Sequence, residues 1–106
     1  MNFRYMRIIV SFDLPTLTSE DKREYRKFKR FLDKSGYVML QESVYSKLAL
    51  NGSIMSMLEK NIEKNKPKKG NVMYAKMTEN QYSSIKYVTG EYAGDLINTP
   101  DRYIEL

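Results

Sequence analysis

The chain has 106 residues, 18 of them Lys or Arg and 13 Asp or Glu, for a formal charge of +5; that length supports one hydrophobic core and excludes separate catalytic and regulatory domains. Hydrophobic residues make up 42% and charged residues 29%, the balance of a folded globule rather than a disordered chain. Histidine and cysteine are both absent, which removes imidazole acid-base catalysis, thiol nucleophiles, disulfide scaffolds and metal sites built on those ligands, and leaves carboxylate, hydroxyl, lysine or a hard metal ion.

The first predicted element is a strand over Arg4 to Phe12, rich in β-branched and aromatic residues and stopped at Asp13-Leu14-Pro15, where proline forbids a central strand from continuing. Alternate strand residues face opposite sides of a sheet. The even set (Met6, Ile8, Val10, Phe12) is wholly apolar, whereas the odd set (Tyr5, Arg7, Ile9, Ser11, Asp13) is mixed. The even side is expected to carry helices and the odd side to stand open or meet a partner.

A helix follows from Thr18. Thr18 or Ser19 suits its cap, Glu20 and Asp21 suit the positive end of its dipole, and Gly36 ends it after Lys34. Tyr25, Phe28, Phe31 and Leu32 recur at helical spacing. Lys22, Arg23, Arg26, Lys27, Lys29 and Arg30 crowd the remaining faces, a concentration of charge that is either a solvated surface or an anion-binding one.

Residues Tyr37 to Leu50 form a β-prone stretch whose most polar point, Gln41-Glu42-Ser43, is the expected turn or bulge between strands two and three. Asn51-Gly52-Ser53 opens a second helix with an apolar stripe of Ile54, Met57, Leu58 and Ile62, ending near Asn65 before Pro67. Lys64, Lys66, Lys68 and Lys69 then lead to Gly70 in an exposed loop. Val72 to Thr78 reads as strand four, and Glu79-Asn80-Gln81 starts a short helical or turn segment through Ile85.

The order β-α-β-β-α-β, with a further strand-like run at Arg102 to Leu106, is an α+β, ferredoxin-like arrangement in one domain over 1–106, with residues 86–106 as a tail. Two helices cover one face of a four-stranded sheet, and the odd face of strand one is too apolar for comfortable exposure. A homodimer joined through sheet faces, using Tyr5, Ile9 and Ser11, is the expected remedy. Charge is uneven, with 15 basic and 8 acidic residues in 1–70 against 3 and 5 in 71–106, so a polyanionic partner is expected for the first part. No run reads as a signal peptide or membrane span, and a cytoplasmic location is expected.

Asp13 is the foremost candidate for chemistry. It ends the central strand on the odd face, and in a face-to-face dimer two copies approach across the twofold axis, where paired carboxylates can hold one Mg²⁺ for a phosphodiester substrate. An aspartate before Leu-Pro also simply opens a turn, and Ser11 on the same face is either a phosphate or water ligand or a plain strand serine. No second carboxylate lies near Asp13 in its own strand and turn. The tyrosines are scattered and form no stacking motif of the RRM type, so recognition of phosphates by Arg7, the six helix-one bases and Lys66, Lys68 and Lys69 fits better. A small regulatory dimer holding a metabolite, or a toxin-like ribonuclease, ranks below these readings because no glycine-rich ligand loop is present.

Arg4-Tyr5-Met6-Arg7 leading to Phe12-Asp13-Leu14-Pro15, Tyr25-Arg26-Lys27-Phe28, Gln41-Glu42-Ser43-Val44-Tyr45-Ser46-Lys47-Leu48 and Pro67-Lys68-Lys69-Gly70-Asn71 together resemble the small dimeric endonuclease family of CRISPR spacer acquisition, in its type II-A form. The resemblance spans nearly the whole chain. It implies a homodimer seated between two dimers of the acquisition integrase in a heterohexamer on a duplex DNA prespacer, with Asp13 matching the family's Mg²⁺-binding aspartate. It further implies that Arg102, Tyr103 and Ile104 belong to a last strand that extends the partner protomer's sheet or docks on the integrase. The leading expectation is thus a duplex-binding scaffold for spacer integration; the alternative is an active Mg²⁺-dependent endonuclease on single-stranded RNA or duplex DNA.

Overall fold

A computed structural model describes residues 5–90. The elements run β1 (Met6–Asp13), α1 (Ser19–Lys34), β2 (Val38–Gln41), β3 (Val44–Ala49), α2 (Gly52–Lys64), β4 (Asn71–Thr78) and α3 (Glu79–Ser83). The sheet order is β2-β3-β1-β4, and every neighbouring pair is antiparallel. This is the ferredoxin-like topology expected. The anticipated strand at 102–106, with Arg102, Tyr103 and Ile104, lies outside the described residues.

Local chemistry explains the boundaries. The Thr18 hydroxyl accepts from the Asp21 N–H at 3.0 Å while the Asp21 carboxylate accepts from the Thr18 N–H at 3.2 Å, a reciprocal cap that satisfies two otherwise orphaned donors of α1. That backbone N–H holds the Asp21 carboxyl below its ordinary pKa. Asn51 caps α2 through its side-chain oxygen, 2.9 Å from the Ile54 N–H. Gly36, at φ +86°, takes the left-handed conformation that lets the chain leave α1 for β2.

The even residues of β1 meet α1 and α2 in one core. Ile8 and Val10 are fully buried, as are Leu32 and Ala49, and Phe12, Phe28, Tyr45, Met55, Leu58 and Ile62 close around them. Phe12 is its centre, edge-on to Phe28 (5.2 Å) and Tyr25 (6.0 Å) and stacked on Tyr45 (5.9 Å). Burial pushes the phenols of Tyr37 and Tyr45 up to about 12, with the charges of Asp33 and Glu42 adding at Tyr45. The stripe of α2 differs from expectation. Met55 is buried with Leu58 and Ile62, while Met57 is half exposed; both choices fit a 3.6-residue period, and packing on Ile8 and Ala49 selects the rotation.

The opposite sheet face, expected to stand open or meet a partner, is partly covered from within the chain. α3 folds back over it. Arg7 binds Glu79 through both ends of its guanidinium (3.0 and 3.3 Å) and lies 4.3 Å from the centre of the Tyr82 ring. Tyr82 in turn shares a 3.1 Å hydrogen bond with the wholly buried Ser46 hydroxyl. Beyond α3, Ile85, Tyr87 and Val88 border a groove of about 380 Å³ over Ile9, Leu40, Val44 and Met77. The uncovered part of this face lies along β4 and the end of β1, where Met73 is 69% exposed.

Candidate functional site

Asp13 is exposed at the carboxyl end of β1, and its backbone is held from several directions. The preceding residue is the aromatic hub Phe12, whose N–H donates to the Ser43 carbonyl at 3.1 Å. Asp13 itself pairs in register with Asn71 of β4. Gly70, at φ +90°, brings the chain so close that a Cβ there would stand 2.9 Å from the Asp13 carbonyl and 2.8 Å from the Leu14 side chain, so only glycine fits without displacing the strand end. A rigid backbone thus presents a solvated carboxylate. Ser11, half-buried two residues earlier, shares its sheet face, and so does Asn71 by cross-strand pairing.

Among the described residues no three acidic side chains converge on a metal position. On the sheet face at this end one chain offers the Asp13 carboxylate, with the Ser11 hydroxyl and the Asn71 carboxamide beside it, while Glu20, Asp21 and Glu24 lie across the following turn in the Leu14-Pro15 cleft. The three groups on the face are the oxygen donors that Mg²⁺ takes when it is held by one or two carboxylates and keeps several waters, so the donor chemistry fits the ion.

The second feature lies on the helical side. α1 and the end of α2 bound a groove of about 350 Å³. Lys27, Arg30 and Lys34 of α1 line one wall, Lys64 and Lys66 the other, and Phe28 and Phe31 contribute apolar surface between them. Glu24 and Pro67 belong both to this groove and to a smaller cleft lined by Leu14, Pro15, Lys68 and Lys69 and, from α1, by Glu20 and Asp21. The loop over 65–70 therefore runs from the cationic groove to the turn that follows Asp13.

The structure sorts the basic residues singled out from sequence. Lys27, Arg30 and Lys66 come together in the groove, Lys68 and Lys69 stand at the neighbouring cleft, and Lys22, Arg23, Arg26 and Lys29 line neither. Arg7, expected among the phosphate-binding cations, is on the other face and committed to Glu79 and Tyr82. Of the expected dimer contacts, Tyr5 is 57% exposed, and Ile9 and Ser11 are half-buried, Ile9 beside the segment that follows α3. Sequence reasoning missed Lys34, which its spacing of four from Arg30 and seven from Lys27 places in the same row. It also treated Phe31 as core alone.

A ferredoxin-like fold with an exposed strand-end aspartate and a groove lined by five cations defines a small α+β protein with a strongly basic helical side. The chain belongs to the CRISPR associated protein Cas2 family, whose model matches residues 6–85. It is 45% identical over 101 residues to the CRISPR-associated endoribonuclease Cas2 of Treponema denticola, covering 95% of this chain and 100% of that one. It is 42% identical over 101 residues to the protein of that name from Streptococcus mutans, with 95% and 93% covered. A solved structure described as "Crystal structure of cas2" shares the fold with a TM-score of 0.58 at 18% identity, over 83% of this chain and 90% of that one. The relatives' names favour the nuclease alternative over the scaffold reading placed first from sequence. No helix among the described residues is long and apolar enough to cross a membrane.

Proposed function

We propose that this chain is a metal-dependent endonuclease of the CRISPR machinery acting on single-stranded RNA, with the Asp13 carboxylates of two copies holding one Mg²⁺. The observation that carries this reading is the placement of Asp13, solvated at its carboxylate and fixed at its backbone by Phe12, Ser43, Asn71 and Gly70. Reactive geometry needs a carboxylate that does not drift. The relatives named endoribonuclease support the same choice.

Two anionic side chains facing one another repel unless a proton or cation stands between them, which makes a carboxylate pair a natural seat for the ion. When bound, Mg²⁺ supplies Lewis-acid stabilisation of the charge that builds on a phosphodiester. Ser11 adds a hydroxyl for orienting a water or a phosphate oxygen. With no histidine in the chain, imidazole takes no part in proton transfer at the site.

A homodimer through the sheet faces follows from this reading, and the uncovered strip along β4 with Met73 and Ala75 is the surface that it would use. The test is Mg²⁺-dependent cleavage of single-stranded RNA and duplex DNA by the wild type and Asp13→Ala. The proposal expects cleavage lost in the variant with its unfolding temperature unchanged, and cleavage that persists would overturn it.

The second reading, a duplex-binding scaffold between integrase dimers during spacer acquisition, draws on the exposed Arg23 and Arg26 outside the groove. It expects duplex affinity that ignores Asp13→Ala, and weaker, less salt-sensitive binding when Arg26, Lys27 and Arg30 are replaced.

A further inference from the structure

We infer that the groove between α1 and α2 is a seat for a single-stranded segment of nucleic acid, with one base on Phe31 and its flanking phosphates among Lys27, Arg30, Lys34, Lys64 and Lys66. The inference rests on the reading that the chain acts on nucleic acid, and names where a strand sits and which form of it is preferred.

Three observations support it. The first is uncompensated charge. Among the described residues the ion pairs within 4.0 Å are Arg7 with Glu79 and Lys76 with Glu59, so the five groove cations hold no carboxylate, and Glu24, where the groove meets the neighbouring cleft, is the one acidic residue along it. Five like charges on two facing walls raise the local potential and attract an anion that touches several of them at once.

The second is the aromatic floor. Phe31 is half-buried, packed on one side by Phe28 at 6.0 Å between ring centres, and it also lines the groove. A duplex has no use for such a ring, because its bases are stacked inside the helix and its phosphates are met by cations alone. A single strand gains from both, stacking a free base on the ring while its backbone follows the cations. A volume of about 350 Å³ lies at the lower end of pockets that hold small organic groups, the scale of one nucleotide rather than of a double helix.

The third is continuity. Pro67 and Glu24 join the groove to the cleft of Leu14, Pro15, Lys68 and Lys69, whose helix-α1 wall is acidic (Glu20, Asp21 and Glu24), so a strand would keep to the lysine side, and the same loop ends with Gly70 against the Asp13 carbonyl. A strand seated on Phe31 can follow Lys66, Lys68 and Lys69 around the loop towards the end of β1. The groove then positions substrate for the carboxylate.

The test measures binding apart from cleavage. In an Asp13→Asn background, a short, unstructured, labelled oligonucleotide is titrated by fluorescence anisotropy in RNA form, in DNA form and as a duplex, at several salt concentrations. Phe31→Leu is expected to weaken both single strands on the order of tenfold and leave the duplex unchanged, and Phe31→Tyr to restore binding. Lys27→Gln with Arg30→Gln is expected to lower the salt slope for the single strands by about 1.4, more than Lys60→Gln with Lys86→Gln, which removes the same charge elsewhere. Thermal unfolding of each variant confirms that the fold is kept. Equal losses from the two double variants, an equal effect of Phe31→Leu on the duplex, or unchanged affinity in a folded Phe31→Leu protein would each overturn the groove. Cleavage that disappears with Asp13 while the groove variants bind normally removes this inference alone. Cleavage independent of Asp13 alongside a groove that behaves as expected removes the carboxylate proposal alone.

Discussion

The two faces of one sheet are put to different uses in this protein. On the helical face, Ile8, Val10 and Phe12 disappear into a core with two helices, and each side chain there is fixed by its neighbours. On the other, a five-residue helix is held mainly by Arg7, Glu79, Tyr82 and Ser46, while the strip leading to Asp13 stays exposed. Stability resides on the first face, and the chemistry proposed for this chain lies at the end of the second. They meet at Phe12 and Asp13, adjacent residues facing opposite ways. The aromatic hub that closes the core also fixes the carboxylate's backbone.

The largest expected effect tests the first face. Phe28→Ala removes a ring that is 1% exposed and edge-on to Phe12, and it should cost about 3–5 kcal/mol of folding free energy in a denaturant titration. A cost under about 1 kcal/mol would show that the core does not centre on Phe12.

Asp13→Ala should do the reverse. It should lower RNA cleavage by at least about a hundredfold, the scale of losing a group that stabilises transition-state charge, while changing stability by no more than about 0.5 kcal/mol, as expected for an exposed side chain. Chelating the divalent ion should reproduce the loss in the wild type.

Tyr82→Phe probes the short helix that covers the second face. It leaves the Ser46 hydroxyl buried without its partner, at a cost of about 1–3 kcal/mol, and hydrogen exchange in α3 should quicken more than in α1.

The fourth effect is confined to alkali. The Tyr37 and Tyr45 phenols sit at about 12 in the folded chain against about 10 when unfolded. Folding therefore favours the protonated form. This contribution is complete below about pH 10 and is lost as pH rises through about 12. A denaturation midpoint that falls over that window, together with late phenolate absorbance, checks it. Tyr37→Phe should flatten the fall, and should not destabilise the protein at neutral pH, because the Tyr37 hydroxyl has no hydrogen-bond partner among the described residues.

Much of the fold is legible locally. The period-two alternation of β1 assigns its faces, Thr18 and Asn51 announce the helix starts, and the polar Gln41-Glu42-Ser43 marks the hairpin, where Ser43 takes φ +67°. Relations between elements are harder to see. Nothing in residues 79–85 says on which side of the sheet α3 falls; that follows from Arg7 finding Glu79. The α2 sequence permits either Met55 or Met57 inside, and its packing against the strands decides. Asp13 was legible as a strand-end carboxylate, but the contribution of Gly70 to holding it was not, because the contact joins residues 57 positions apart. The groove was half visible. Its cations are conspicuous in the sequence, whereas their convergence around Phe31 needs two helices packed side by side.

Metal stoichiometry tests the central proposal most directly. Mn²⁺, a spectroscopic stand-in for Mg²⁺, can be titrated into the protein with a substrate analogue that resists cleavage, and the bound ion counted by electron paramagnetic resonance. A shared pair of Asp13 carboxylates predicts one ion for every two chains, lost in Asp13→Ala. One ion per chain, or binding that survives the substitution, would contradict it.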